Sequence, residues 1–174
     1  MSEFLDLAAL TGPAFAQTVG FLYGRLANVL DRRRQSQTEV IATPAVLEGE
    51  LGPLVISEPV VEHHRAELEG LLERIGVAQA NLRSVNRRDD GLATDLERLR
   101  DLLEQIYGQH ITLSGEDRPS SGVRVDQRAR TVRGQMVGLD ADEATTNARV
   151  DVTQNIGEVS SSGSVIGARI KKLG

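Results

Sequence analysis

The sequence predicts an α+β protein: an N-terminal α-helical bundle with an antiparallel coiled-coil hairpin, followed by a small repeat-like β segment that is either a solenoid or a cross-β unit. Three observations predict it: an uncharged apolar stretch near the N-terminus, two heptad-patterned runs in the middle, and Val residues alternating with polar ones towards the end. A polar, turn-rich run covers residues 114–122. We therefore divide the chain into a helical domain (1–113), a linker (114–122) and a β-rich self-assembly segment (123–174).

The N-terminal stretch from Leu7 to Gly24 contains no charged residue, and the basic cluster at residues 32–34 follows it. Pro13 suits the first turn of a helix that begins near Gly12. This helix is either a core helix of a bundle or a membrane-inserting segment whose basic cluster attracts anionic lipid. In the second case, five apolar residues are the candidates to face lipid: Phe15, Val19, Phe21, Leu22 and Leu26.

Two runs in the middle of the chain repeat with the period of a coiled coil. The first has apolar residues every seven positions, at Val61, Leu68, Ile75 and Leu82. The second alternates spacings of four and three, at Leu92, Leu96, Leu99, Leu103 and Ile106. Because a short polar turn joins the runs, they predict two antiparallel helices that form a hairpin.

The C-terminal segment repeats itself. Arg124-Val125-Asp126 recurs at residues 149–151, and the Gly134–Gly138 pentapeptide is echoed at Gly163–Gly167. Two β units this short cannot bury a core alone, so we expect them to stack on each other and on further copies. The candidate self-assembly residues are Val150, Val152, Ile156, Gly157, Val165, Ile166 and Gly167.

Composition narrows the range of functions. The chain has 174 residues, no cysteine and only 3% aromatic residues, so its core must be aliphatic and it has no disulfide or thiolate site. The sequence has no phosphate-binding glycine loop and no nucleophile elbow. The adjacent His63 and His64 would point about 100° apart on a helix and could not share a metal. We expect no enzymatic activity, no cofactor and no metal.

This layout resembles the HeLo-type cell-death effectors of fungi and their bacterial counterparts, the Bell-domain proteins with amyloid signalling motifs. The resemblance rests on residues 1–34, on Gln154–Val159 and on Gly163–Gly167, and the Gln154–Gly157 core is similar to the RHIM type of necroptosis motif. It implies a role in cell death or antiphage defence. A receptor carrying a similar β motif would template the C-terminal segment, and the helical domain would then oligomerise and permeabilise the inner membrane.

Three functions remain open. The first is a non-enzymatic, self-assembling effector that is cytoplasmic and becomes associated with the inner membrane. The second is a structural scaffold that builds a filament, ring or cage without lipid. The third is nucleic-acid binding through Arg124, Arg128, Arg130 and Arg133. We disfavour the third because no aromatic residue is interleaved for base stacking, and arginines also protect an exposed β edge. The expected partner is a second copy of the chain.

Overall fold

The computed structural model describes residues 10, 12–31, 38–86, 89–118, 120–141 and 150–172. It is an α+β structure, as predicted, with three helices and two small sheets among these residues. The chain forms two compact units: a helical unit (Met1–Leu47 with Pro53–Tyr107) and a β unit (Glu48–Gly52 with Gly108–Gly174). The basic cluster at residues 32–34, and Arg149 of the expected repeat, lie outside the described residues.

The helical unit contains α1 (Gly12–Leu30), α2 (Glu58–Ala80) and α3 (Asp90–Tyr107). Helix α1 begins at Gly12, as its sequence predicts, with Pro13 in the first turn. Helix α3 is capped by Asp89, whose Oδ1 accepts hydrogen bonds from the backbone N–H groups of Gly91 and Leu92 at 2.9 and 3.2 Å. It ends before Gly108, which adopts the left-handed conformation common after helix C-termini (φ 61°).

Helices α2 and α3 lie antiparallel, joined by ion pairs along their length. Arg74 donates to both carboxylate oxygens of Asp95 at 2.9 and 2.8 Å, and Arg98 donates to those of Glu67 at 2.6 and 2.9 Å. The Arg98 guanidinium, with help from His64, holds the pKa of Glu67 below its ordinary value. All five apolar residues of the second heptad run are buried: Leu92, Leu96, Leu99, Leu103 and Ile106.

Leu82 does not continue the heptad pattern of α2, because the helix ends at Ala80. The side-chain amide of Asn81 donates to the carbonyl oxygen of Val77 at 2.9 Å, and the Asn81 backbone N–H donates to Ala78. Both bonds occupy carbonyl groups of the last turn, which would otherwise lack an intrahelical donor. Leu82 therefore lies in the turn that follows the helix.

The β unit contains β1 (Gln109–His110), β2 (Gly122–Val132), β3 (Gln135–Ala141), β4 (Val150–Val159) and β5 (Ser164–Ile170). Strand β2 pairs with β4 in parallel, and β3 pairs with β5 in parallel. Strand β1 pairs antiparallel with the start of β2. The chain thus passes through one pair of strands and repeats the path beside it. We call β2 and β3 the first layer, and β4 and β5 the second layer.

The β unit begins earlier than the expected boundary after Leu113. Ile111 and Leu113 are buried, and Ser121 is 1% exposed. The hydroxyl of Ser121 accepts a hydrogen bond from the Thr112 backbone N–H at 3.0 Å, and the Ser121 backbone N–H donates to the carbonyl oxygen of Glu48 at 2.8 Å. The end of the stretch expected as a linker is therefore held in place within the β unit.

Candidate self-assembly interface

The two layers of the β unit are copies of one another in register. Residues of β2 lie beside residues of β4 that are 27 positions later, beginning with Val123 beside Val150. Residues of β3 lie beside residues of β5 that are 29 positions later, beginning with Gln135 beside Ser164. The offset of 29 residues between β3 and β5 matches the predicted alignment of the Gly134–Gly138 and Gly163–Gly167 segments. The offset of 27 residues between β2 and β4 does not match, because Arg124 lies beside Asp151 rather than beside Arg149.

The interior between the two sheets is only half covered. Of the apolar side chains on β2 to β5, Val132 alone is buried, at 7% exposed, and the others are half-buried or exposed. Five of the seven predicted self-assembly residues are half-buried: Val150, Val152, Ile156, Val165 and Ile166. Helical-unit residues such as Leu68 and Leu99 are 0% exposed. The β unit therefore leaves apolar interior surface accessible to solvent.

A ladder of glutamine amides joins the layers inside the β unit. The amide nitrogen of Gln154 donates to Oε1 of Gln127 at 2.8 Å and to the carbonyl oxygen of Ile166 at 3.2 Å. The amide nitrogen of Gln127 donates to the carbonyl oxygen of Val137 at 2.8 Å. Because Val137 and Ile166 lie side by side in the register, each layer makes the same bond between its two strands. Within the described residues, Oε1 of Gln154 accepts no hydrogen bond, so the ladder ends there.

Two glycines that lie side by side differ in their surroundings. A Cβ atom at Gly138 would meet second-layer atoms, namely the carbonyl oxygen of Gly167 and Cγ1 of Val152, at distances that real Cβ atoms do not show. A Cβ atom at Gly167 would meet only Oε1 of Gln154, at 4.0 Å. The space next to Gly167 is open because the described residues provide no third layer.

The strand edges of this unit are largely uncovered. Among the described strands, none pairs with the outer edge of β4, and the β3–β5 sheet has only these two strands. On the outer edge of β2, β1 covers Gly122 and Val123, and the backbone N–H of Arg124 donates to the carbonyl oxygen of Gly108 at 2.7 Å. Exposed edges of this kind are templates for pairing with another chain.

The charges carried by the strands differ between the two layers. Strand β2 presents Arg124, Arg128 and Arg130 with Asp126, all exposed. Strand β4 has no basic residue and carries Asp151 and Glu158. The signs are reversed on the other sheet, where Asp140 of β3 lies 3.5 Å from Arg169 of β5. Neighbouring strands therefore carry opposite charges on both sheets.

The predicted membrane-facing residues lie in the core of the helical unit. Phe15, Val19, Leu22 and Leu26 are between 0% and 2% exposed, and Phe21 is half-buried. In the part of the chain that the structure describes, no helix combines the length and the hydropathy needed to cross a bilayer. In this conformation the apolar face of α1 is therefore occupied by protein contacts.

The sequence predicts that His63 and His64 do not share a metal, and His110 is the third histidine of the chain. His63 and His64 contact edge to face at 4.7 Å, and Nδ1 of His64 lies 3.2 Å from Glu67, which also binds Arg98. Nε2 of His110 lies 3.7 Å from Asp151. Across the described ranges, no three His, Asp or Glu side chains are grouped so that they could hold a metal ion.

No protein family, no curated protein and no solved structure matches this chain in our comparisons.

Proposed function

We propose that this chain is a non-enzymatic, self-assembling protein whose β unit is a two-layer piece of a parallel β-solenoid. The observation that carries the proposal is the half-covered interior, together with the amide ladder that ends at Gln154. A third layer of the same shape would cover the apolar residues and would continue the ladder. Because the described residues form only two layers, we propose that the third layer comes from a second copy of the chain. Repeated addition of copies then gives a cross-β filament or ring.

The helical unit is the proposed acting part. We assign it a three-helix bundle with a coiled-coil hairpin of α2 and α3, in which α1 packs by its apolar face. As an effector, the protein would start in the cytoplasm, assemble when a receptor with a similar β motif templates it, and act at the inner membrane in cell death or antiphage defence. The burial of Phe15, Val19 and Leu22 adds one requirement: α1 must leave the bundle before these side chains meet lipid.

The second candidate is a structural scaffold that assembles in the same way and does not act on membranes. The packing of α1 favours it, because four of the five candidate lipid-facing residues are at most 2% exposed. The two functions share the β-unit assembly and differ only in what α1 does afterwards.

Assembly is tested by electron microscopy and sedimentation of the full chain, wild type beside the Ile156→Asp/Ile166→Asp variant. Both isoleucines are half-buried members of the predicted self-assembly set, so two carboxylates there should prevent ordered stacking. Val77→Asp is the matched control, since Val77 of α2 is 64% exposed and its charge should change nothing. Identical large particles from the double variant and the wild type would contradict the proposal.

Membrane action is tested on the wild-type protein with anionic vesicles. The effector should release an entrapped dye, and hydrogen exchange should report a change of protection in α1 when vesicles are added. The scaffold should form the same particles with no dye release and an unchanged α1. Ordered particles without leakage would therefore overturn the effector and support the scaffold.

A further inference from the structure

We infer that copies of this chain stack in one direction only, head to tail, with the second layer of one copy against the first layer of the next. The inference rests on the proposed self-assembly and adds its orientation and register. In this arrangement, paired strands of neighbouring copies have the same residue offset as paired strands of the two layers within one copy. β4 pairs with the next copy's β2, and β5 with the next copy's β3, at the offsets seen inside the chain.

Charge complementarity favours this orientation. Head-to-tail contact brings β4, which has no basic residue and carries Glu158 in the part that pairs, against the arginine-rich β2 of the next copy. On the other sheet it brings Arg169 against Asp140, which is the pair that already lies 3.5 Å apart within one chain. Contact between two first layers would bring β2 against β2, and contact between two second layers would bring β4 against β4. Both would oppose like charges, which destabilises cross-strand pairs.

The side chains between the two sheets also fit the head-to-tail arrangement. With a first layer added beyond the second, the amide nitrogen of the new copy's Gln127 occupies the position from which it can donate to Oε1 of Gln154. The new copy's Val125 would lie against Gly167, as Val152 lies against Gly138 within one chain. The absence of a side chain at Gly167, which nothing in the described residues of one copy requires, is then explained by the neighbouring copy.

Strand β1 limits where this contact begins. It covers the edge of β2 at Gly122 and Val123, and Gly108 accepts from the backbone of Arg124. An incoming β4 therefore pairs from Val152 onward, opposite Val125, whereas no strand of the described residues covers the outer edge of β3. The junction consequently includes the glutamine ladder, Gly167 and the Asp140–Arg169 pair.

Disulfide trapping tests the orientation, because the chain has no cysteine of its own. Gln135 and Ser164 lie side by side in the register, are exposed and carry no charge. Two single variants, Gln135→Cys and Ser164→Cys, are assembled together from dissociated chains and then oxidised. Neighbouring strands are about 4.8 Å apart, within the range of a disulfide, whereas like positions of successive copies would be about 9.6 Å apart and out of reach.

Head-to-tail stacking predicts covalent dimers in the mixed sample and none in either variant alone. Dimers in each variant alone, with sedimentation showing assembly, would overturn the orientation while leaving the proposed function intact. Variants and wild type that all remain monomeric would instead overturn the proposed function, and the orientation with it.

A charge exchange provides a second measurement. The Asp140→Arg/Arg169→Asp variant exchanges the two charges of this ion pair. The variant therefore keeps the attraction within one chain and between two identical copies. Head-to-tail stacking predicts that this variant assembles with itself. It should enter wild-type assemblies about 2- to 25-fold less often than labelled wild type does, because each insertion opposes like charges at both of its junctions. Equal or preferential incorporation would overturn the inference. Circular dichroism of the variant, whose exchanged side chains are 44% and 50% exposed in the wild type, verifies that it is folded.

Discussion

Replacing Gly167 by alanine should block assembly while leaving the single chain folded. Gly167 lies in β5 without a positive φ, so alanine fits its backbone conformation, and a Cβ atom there has only one neighbour, Oε1 of Gln154 at 4.0 Å. In a stack, its surroundings become those of Gly138, where a Cβ atom would overlap the adjacent carbonyl oxygen and a valine methyl group. Alanine at position 167 therefore tests the interface without disturbing the monomer.

The magnitude follows from the cost of overpacking. Forcing an extra methyl group into a packed interior costs about 1–3 kcal/mol, and each 1.4 kcal/mol is about tenfold in an equilibrium constant. The critical concentration for assembly of Gly167→Ala should therefore rise about 5- to 150-fold. Sedimentation of a concentration series measures it, and thermal unfolding followed by circular dichroism verifies the fold.

Two glycine-to-alanine controls make the test specific. Gly138→Ala should destabilise the β unit itself, because its Cβ atom overlaps atoms of the same chain. Gly24→Ala on α1 should change nothing in assembly, since a Cβ atom at Gly24 has no neighbour within 4 Å. A folded Gly167→Ala variant that assembles at the wild-type concentration would refute this reasoning.

Three further predictions concern the interior of each unit. Leu99→Ala should cost about 2–4 kcal/mol of unfolding free energy, and the exposed Val77→Ala almost none; equal losses in chemical denaturation would contradict the packing. Gln154→Glu should lower the melting temperature of the β unit at pH 7, because the ionised carboxylate cannot donate to Gln127 or Ile166. The melting temperature should recover in acid, where the carboxyl group is protonated. Gln135→Glu on the surface should show neither effect. Burial raises the pKa of Tyr107 to about 12; since its neutral form favours the fold, stability should fall from pH 10 to 12, and less so in Tyr107→Phe.

The helices could be predicted closely because their cause is local. The start of α1 at Gly12 follows from a proline in the first turn, and α3 follows from a leucine pattern that its buried residues repeat. The end of α2 could not be read from apolar spacing alone. Leu82 fits the heptad, but Asn81 binds the last carbonyl groups and the helix ends at Ala80, two residues before Leu82.

The β repeat could be found in the sequence, but only half of its register was predicted correctly. The glycine-bounded segments align as predicted, whereas the Arg-Val-Asp match is two residues away from the pairing of β2 with β4. An error of two residues keeps the same side chains inside, because strand faces alternate with a period of two. A better signal is Val-x-Val-x-Gln, which occurs at Val123–Gln127 and at Val150–Gln154 and also identifies the amide ladder.

Other features depend on contacts that a single sequence does not specify. The pairing of β1 with the start of β2 is one such feature, because β1 is only two residues long. Arg100 and Glu104 are 2% and 4% exposed on α3, although charged residues are rarely buried and their spacing is that of a surface pair. The different surroundings of Gly138 and Gly167 appear only once the layers are stacked.

The mass per length of the assembled filament tests the central claim most directly. If each copy of 18.9 kDa adds two layers about 4.8 Å thick, a single filament should carry about 20 kDa per nanometre. Fibre diffraction of the same material should show the strand spacing of about 4.8 Å along the axis. A single filament with about 40 kDa per nanometre would mean one layer per copy. That value, or the absence of any axial strand spacing, would contradict the two-layer stack.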